Sequence, residues 1–128
     1  MNKEIRRENT QSTKIFDNRG LANDYRTLIP VLKKGMRVLD VGCGTGAITK
    51  DIANAIGPEG SITGIDNTKS FIESGQSTYA TVSNMQLLHA DIFKFEPEDR
   101  FDLIVSARVL QWLSNPLEAL LKMKTLLR

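Results

Sequence analysis

The run VLDVGCGTG, Val38 to Gly46, sets three alternating glycines directly after a β-rich stretch. Glycine accepts positive φ and has no side chain to hold a ligand away from the backbone, while the first turn of a following helix offers N–H groups that lack intrahelical partners. Gly42, Cys43, Gly44 and Gly46 therefore make a turn built for close approach. Asp40, two residues earlier, stands where a carboxylate could accept hydrogen bonds from a cationic amino group, or serve as a buried structural acid. Asp66 ends a second β-rich run beyond apolar Ile65, the usual position for an acid that accepts both hydroxyls of a ribose. An acid there would repel a free 2′-phosphate. Asp66 also reads as a cap for a helix beginning at Thr68, and the two roles are compatible. Asp91 ends a third such run, where it could accept a hydrogen bond from an adenine amino group with Ile92 against the ring, or be an ordinary loop aspartate.

Other polar candidates carry less. His89 is the lone histidine and lies inside an expected strand, which favours a satisfied structural role over a base or a metal ligand. Cys43 occupies a turn position that needs a small side chain, and a reactive thiol is the minor reading. Trp112 and Tyr25 could shape an acceptor pocket, although aromatics at such places more often belong to a core. No metal site is expected, and no catalytic base is identified.

These residues need a frame that brings strand ends together. From Met36 onward β-rich runs alternate with helical patterns, the signature of βαβ units and a parallel sheet. Strands are expected at residues 36–41, 61–66, 85–91 and 101–107. Between the first two, Ile48, Ile52, Ala55 and Ile56 form an apolar stripe at helical period, stopped by Gly57-Pro58. A second helix is expected from Thr68 to about Tyr79, weakened by Gly75 at a cost of about 1 kcal/mol relative to Ala. A third should start with Asn115 as N-cap and Pro116 at its first position, burying Leu117, Leu120 and Leu121. Residues 1–35 hold apolar positions enough for one or two helices, giving an N-terminal helical segment ahead of a Rossmann-like unit at 36–128. Open parallel sheets bind ligands outside the carboxyl ends of their strands, which is where the glycines and the three acids fall.

Composition agrees with one ordinary globular domain. Of 128 residues 41% are hydrophobic and 25% charged, with no disordered or collagen-like bias. A single cysteine excludes an internal disulfide, a cysteine-pair redox centre and a cysteine-based zinc site. No apolar run has membrane-spanning length, and MNKEIRRENT lacks the apolar core of a signal peptide, so a cytoplasmic location without membrane association is expected. The net charge of +2 is uneven, with nine Lys or Arg against four acids in residues 1–37. No aromatic residues interleave those charges as in a nucleic-acid groove, so a solvated face is expected and nucleic acid is not.

With those residues in view, Val38–Thr49, Ile62–Asp66, Ala90-Asp91-Ile92 and FDLIVSARVLQWLSNP (101–116) together resemble the class I S-adenosylmethionine-dependent methyltransferases. The resemblance covers nearly everything after Gly35 and implies an α/β fold, a Rossmann-like parallel sheet with flanking helices and strand order 3-2-1-4. It implies S-adenosyl-L-methionine as cofactor and a small-molecule acceptor. Asp40, Gly42, Cys43, Gly44 and Gly46 match the family's methionine-end site and Asp66 its ribose acid. Asn67, Asp91 and Ile92 match its adenine contacts, and Ala107, with Arg108 and Val109, would pass beneath the sulfonium. Leu110, Gln111 and Trp112 resemble a segment common in methyltransferases of small molecules, including those of quinone and biotin synthesis.

The family's sheet continues with further strands that this sequence does not show, and KMKTLLR ends in a helical pattern without a C-cap glycine. A fragment that binds cofactor with little turnover is therefore expected, with its fourth-strand edge open to pairing with another chain. Two alternatives stand beside a methyltransferase: a non-catalytic S-adenosyl-nucleoside-binding fragment, and an NAD-dependent oxidoreductase. Against the latter, the glycines run G-x-G-x-G and not G-x-G-x-x-G.

Overall fold

The segment RVLDV has apolar residues at consecutive positions, as expected of a strand covered on both faces. In the computed structural model, which describes residues 15–17, 31–106 and 115–128, it forms the centre of a five-stranded parallel sheet. The strands are β1 (Ile15–Asp17), β2 (Arg37–Val41), β3 (Ser61–Asp66), β4 (Met85–His89) and β5 (Leu103–Ser106), and the helices are α1 (Ala47–Ile56), α2 (Lys69–Thr78) and α3 (Pro116–Thr125). The order across the sheet is β4-β3-β2-β5-β1. The four strands expected from the sequence thus take the 3-2-1-4 arrangement. The registers Val41↔Ile65, Asp66↔His89 and Val41↔Ser106 bring the carboxyl ends of β2, β3, β4 and β5 to one rim.

Alternation along the strands divides the core between the two faces. Val38, Ile62, Leu103 and Val105 pack with Ile52, Ala53 and Ile56 of α1. Leu39, Val41, Ile65 and Ile104 pack with Ile92, Phe101 and Ala119, Leu120 and Met123 of α3 on the other. Ile52 and Ile56 are fully buried, each stabilising the fold by about 1.5–3 kcal/mol. Helix α1 stops where Gly57 takes φ 74° before Pro58, and Asn84 Nδ2 donates to the carbonyls of Ala53 and Gly57 at 2.8 Å. Those two bonds satisfy carbonyls that the helix end leaves without partners.

Three expectations are corrected. Leu117 and Leu121 of α3 are 62% and 54% exposed, whereas Ala119, Leu120 and Met123 are buried. At about 100° per residue the two leucines fall opposite Ala119, whose small side chain sets the contacting face. The chain does not remain helical to Arg128: α3 ends at Thr125 and Leu127 forms a parallel bridge with Phe101. There the backbone N–H of Phe101 and Arg128 donate to Leu126 O and Phe101 O at 2.8 and 3.0 Å.

The third concerns the edge of the fourth predicted strand, β5, which is not open. Ile15–Asp17, expected within a helical segment, form β1 and pair with Ile104–Ser106. A strand pairing there satisfies backbone groups that a helix would leave unpaired on the sheet edge. The rest of residues 1–30 lies outside the described residues. Among the described residues no helix is long and apolar enough to cross a membrane.

Candidate functional site

The chain leaving β2 turns through Gly42 (φ 79°), Gly44 (φ 60°) and Gly46 (φ 93°) before α1 begins. Each of these backbone values is strained for a residue with a Cβ. Hydrogen bonds tie the turn to the end of β3. The Gly42 and Cys43 N–H groups both donate to Ile65 O, at 2.8 and 3.1 Å, and the Gly44 N–H donates to Asp66 Oδ2 at 2.9 Å. Gly44 and Gly46 differ in surroundings. A Cβ on Gly44 would meet open space, whereas one on Gly46 would lie 2.9 Å from Met85 Cε and 3.0 Å from Leu87 Cδ1. Gly44 leaves the rim accessible; Gly46 lets the turn sit down on β4.

Asp66 joins both readings that the sequence left open. Its Oδ1 accepts from the Thr68 N–H at 2.8 Å while Oδ2 holds Gly44. A carboxylate has about four lone-pair sites, so two remain for hydroxyl donors. Asn67 is exposed, and its carbonyl lies 3.0 Å from His89 Nε2, a bond made when that nitrogen carries the proton. His89 thereby joins the ends of β3 and β4, in the structural role expected of it. The Ala90 N–H donates to Asp66 O at 3.1 Å, and Asp91 Oδ1 accepts from the Phe93 N–H at 2.9 Å. Ile92 is buried among Val41 and Ile65.

Asp40 is 1% exposed and accepts from Thr49 Oγ1 at 2.8 Å. Thr49 sits on the buried face of α1, at a polar position within the apolar stripe, and the sequence reading passed over it. Beside Asp40 the Cys43 thiol is held protonated, pushed well above its ordinary 9.0 by burial first and by the charges of Asp40 and Asp66 second. That state disfavours the reactive-thiol reading. Two further glycines prove structural to the site. A Cβ on Gly64 of β3 would stand 2.9 Å from both Cβ and Sγ of Cys43, and one on Gly75 of α2 would stand 2.3 Å from Thr45 O. The glycine that weakens α2 thus lets that helix rest on the glycine turn. The sequence signal was available in both cases, because an isolated glycine in a strand or helix often marks close backbone approach.

The structure therefore brings Asp40, Gly42, Cys43, Gly44, Gly46, Asp66, Asn67, Asp91 and Ile92 to one rim of the sheet. Ala107 lies outside the described residues, as do Arg108, Val109, Leu110, Gln111, Trp112 and Tyr25. A family model described as a methyltransferase domain matches residues 32–128 of this chain. The chain belongs to the class I S-adenosylmethionine-dependent methyltransferases. It is 36% identical over 98 residues to the demethylmenaquinone methyltransferase of Staphylococcus aureus (strain JH9), covering 76% of this chain and 41% of that relative. The chain thus spans about two fifths of the curated relative's length.

Solved structures agree. A SAM-dependent methyltransferase from Aquifex aeolicus superposes with a TM-score of 0.72 at 26% identity, over 83% of this chain and 57% of the other. PKMT2 from Rickettsia typhi, in complex with AdoHcy, gives 0.66 at 30% identity over 73% of this chain and 19% of the other. The glycine spacing that separated this methyltransferase domain from an NAD-dependent oxidoreductase has the meaning read from it. At the rim, a Cβ on Gly44 would have nothing within 4 Å, and Asp66, which accepts from the Gly44 N–H, stands beside that open space.

Proposed function

We propose that this stretch of chain holds S-adenosyl-L-methionine across the rim, in the cytoplasm, and takes part in methyl transfer to a small molecule of the quinol type. The observation that carries the reading is the Asp66 carboxylate, bonded to Gly44 of the turn and to Thr68 while keeping acceptor capacity toward the rim. In this reading Asp66 accepts the ribose hydroxyls, Gly42, Cys43, Gly44 and Gly46 give room to the methionine end, and Asp40 supplies negative charge behind the turn. Asn67, Asp91 and Ile92 border the adenine, and Ala107 lies beneath the sulfonium. Support for a quinol-type acceptor is the identity to an enzyme named for demethylmenaquinone, together with the Leu110-Gln111-Trp112 segment.

The bound group supplies a methyl already activated on a sulfonium. The protein's contribution is then orientation and exclusion of water more than strong base catalysis. The turn fixes one reactant because its N–H groups are committed to Ile65 and Asp66 and cannot drift. This chain covers 41% of the length of that relative, so cofactor binding and turnover are expected to separate in this stretch of chain. The test is S-adenosylhomocysteine release with a panel of quinol, phenol and amine acceptors, run on this chain and on one extended to the length of its relatives. Turnover confined to the extended chain and highest with quinols is the expected result. Comparable turnover by both chains, or preference for an amine, contradicts the proposal.

A further inference from the structure

Strand β4 lies at the outside of the sheet and is paired with β3 on one side only. Its register on β3, with the Ile62 N–H donating to Asn84 O and the Ala90 N–H to Asp66 O, turns the N–H and carbonyl groups of Gln86 and Leu88 toward β3. Those of Met85, Leu87 and His89 therefore face outward. An outward row of this kind is a template on which another strand can add, and natural sheets usually blunt it with charge or proline. The strand reads MQLLH and holds no proline, lysine or acid. Helix α2 leaves a groove of about 250 Å³ along it, lined by residues that include Tyr79, Val82, Met85 and Leu87. One side chain joins the helix to the edge. Gln76 of α2 is exposed, yet its Nε2 donates to the outward carbonyl of Leu87 at 2.8 Å.

We propose that the outer edge of β4 is a pairing surface for a second copy of this chain, and that Gln76 keeps it closed. The edge is complementary to itself. Paired antiparallel about a two-fold axis at Leu87, it sets Leu87 against Leu87 and Met85 against His89 of the other copy, with no like charges opposed. In such a pair the two central residues exchange both N–H···O bonds, so both bonds end on a Leu87 carbonyl. The Gln76 carboxamide donates to that carbonyl as the N–H of an added strand would, and one side chain per copy therefore blocks the centre of the contact. Met85 is engaged as well, its N–H donating to Val82 O at 3.4 Å in the turn before the strand. Gln76 carries the larger share, because its bond is the shorter and lies at the axis.

The test is Gln76→Ala, which α2 tolerates because the position is exposed and alanine is the better helix former. Gln76→Met, of similar length but without an N–H to donate, is expected to behave in the same way and serves as the second variant. Sedimentation equilibrium over a wide range of chain concentration reads the mass, and hydrogen exchange at single amides reads the edge. The unsubstituted chain should remain monomeric, with the outward Leu87 N–H exchanging faster than the Gln86 and Leu88 N–H groups bonded to β3. Both variants should form dimers with a dissociation constant on the order of 0.1–1 mM, as fits a contact of two short strands, and their Leu87 N–H should exchange roughly threefold more slowly at high concentration than at low. Adding Gln86→Lys, which places a charge at an exposed position of the same edge, should restore the monomer. Variants that fold and stay monomeric overturn the proposal. Dimers in which Leu87 gains no protection do the same, as does an unsubstituted chain that is already dimeric with Leu87 protected.

Discussion

Replacing Asp66 by alanine should lower both stability and cofactor affinity, and the structure gives the two effects separate causes. In the ligand-free protein the variant loses two bonds to a charged acceptor, from Gly44 at 2.9 Å and from Thr68 at 2.8 Å. Such bonds contribute about 1.5–3 kcal/mol each, and the partial exposure of Asp66 places the sum near 2–3 kcal/mol. For a chain of this size that is a fall of roughly 6–15 °C in melting temperature. Loss of the ribose bonds should in addition weaken S-adenosylhomocysteine by about 1–3 kcal/mol, a factor of roughly 5–150. Asp66→Asn keeps one acceptor oxygen and should fall between alanine and the native protein in both measurements. Differential scanning calorimetry and isothermal titration on the same samples read the two quantities. Unchanged affinity in a folded Asp66→Ala variant would assign the residue to holding the turn alone and refute the ribose role. Unchanged melting temperature would refute the two bonds described here.

Other outcomes follow from the same geometry. Gly46→Ala combines a left-handed backbone, about 1–2 kcal/mol, with contacts of 2.9–3.0 Å to Met85 and Leu87, so it should destabilise by roughly 2–4 kcal/mol in urea unfolding, whereas Gly44→Ala should lose only the backbone share. Thr49→Val removes a hydrogen bond to buried Asp40 and should cost about 1–3 kcal/mol by the same assay, with no change expected if Asp40 does not depend on it. Cys43 should react slowly with a thiol reagent at pH 8 in the folded protein and quickly in denaturant. Because its thiol stays protonated in the fold but ionises near its ordinary 9.0 when unfolded, stability should be unaffected by this group below that pH and should decline as pH rises above it; Cys43→Ser should remove that decline.

The parts of this fold that could be read in the sequence are those where local pattern and tertiary context agree. Ser61–Asp66 matches its predicted span because an apolar run ends there at an acid, and α1 follows because its apolar stripe is bounded by Gly46 and by Gly57-Pro58. The orientation of α3 was not legible, since Leu117 and Leu121 satisfy helical periodicity as well as Ala119 and Met123 do, and only the sheet decides which face is covered. Ile15–Asp17 could not be read as a strand because its partner, Ile104–Ser106, lies almost ninety residues away, and periodicity carries no information on pairing at that distance. The candidate site divides in the same way. The glycines and acids were visible by type and spacing, whereas Thr49 gains its meaning from Asp40, which it meets only after folding.

The central claim is that the rim formed by Gly42–Gly46 and Asp66 receives an S-adenosyl group. Parallel isothermal titrations of the unsubstituted chain with S-adenosylmethionine, S-adenosylhomocysteine and NAD test it most directly. The expected result is saturable binding of both S-adenosyl ligands at one site per chain, with NAD at least about tenfold weaker, a difference of 1.4 kcal/mol or more. Binding of NAD as tight as that of S-adenosylhomocysteine, or tighter, would contradict the account.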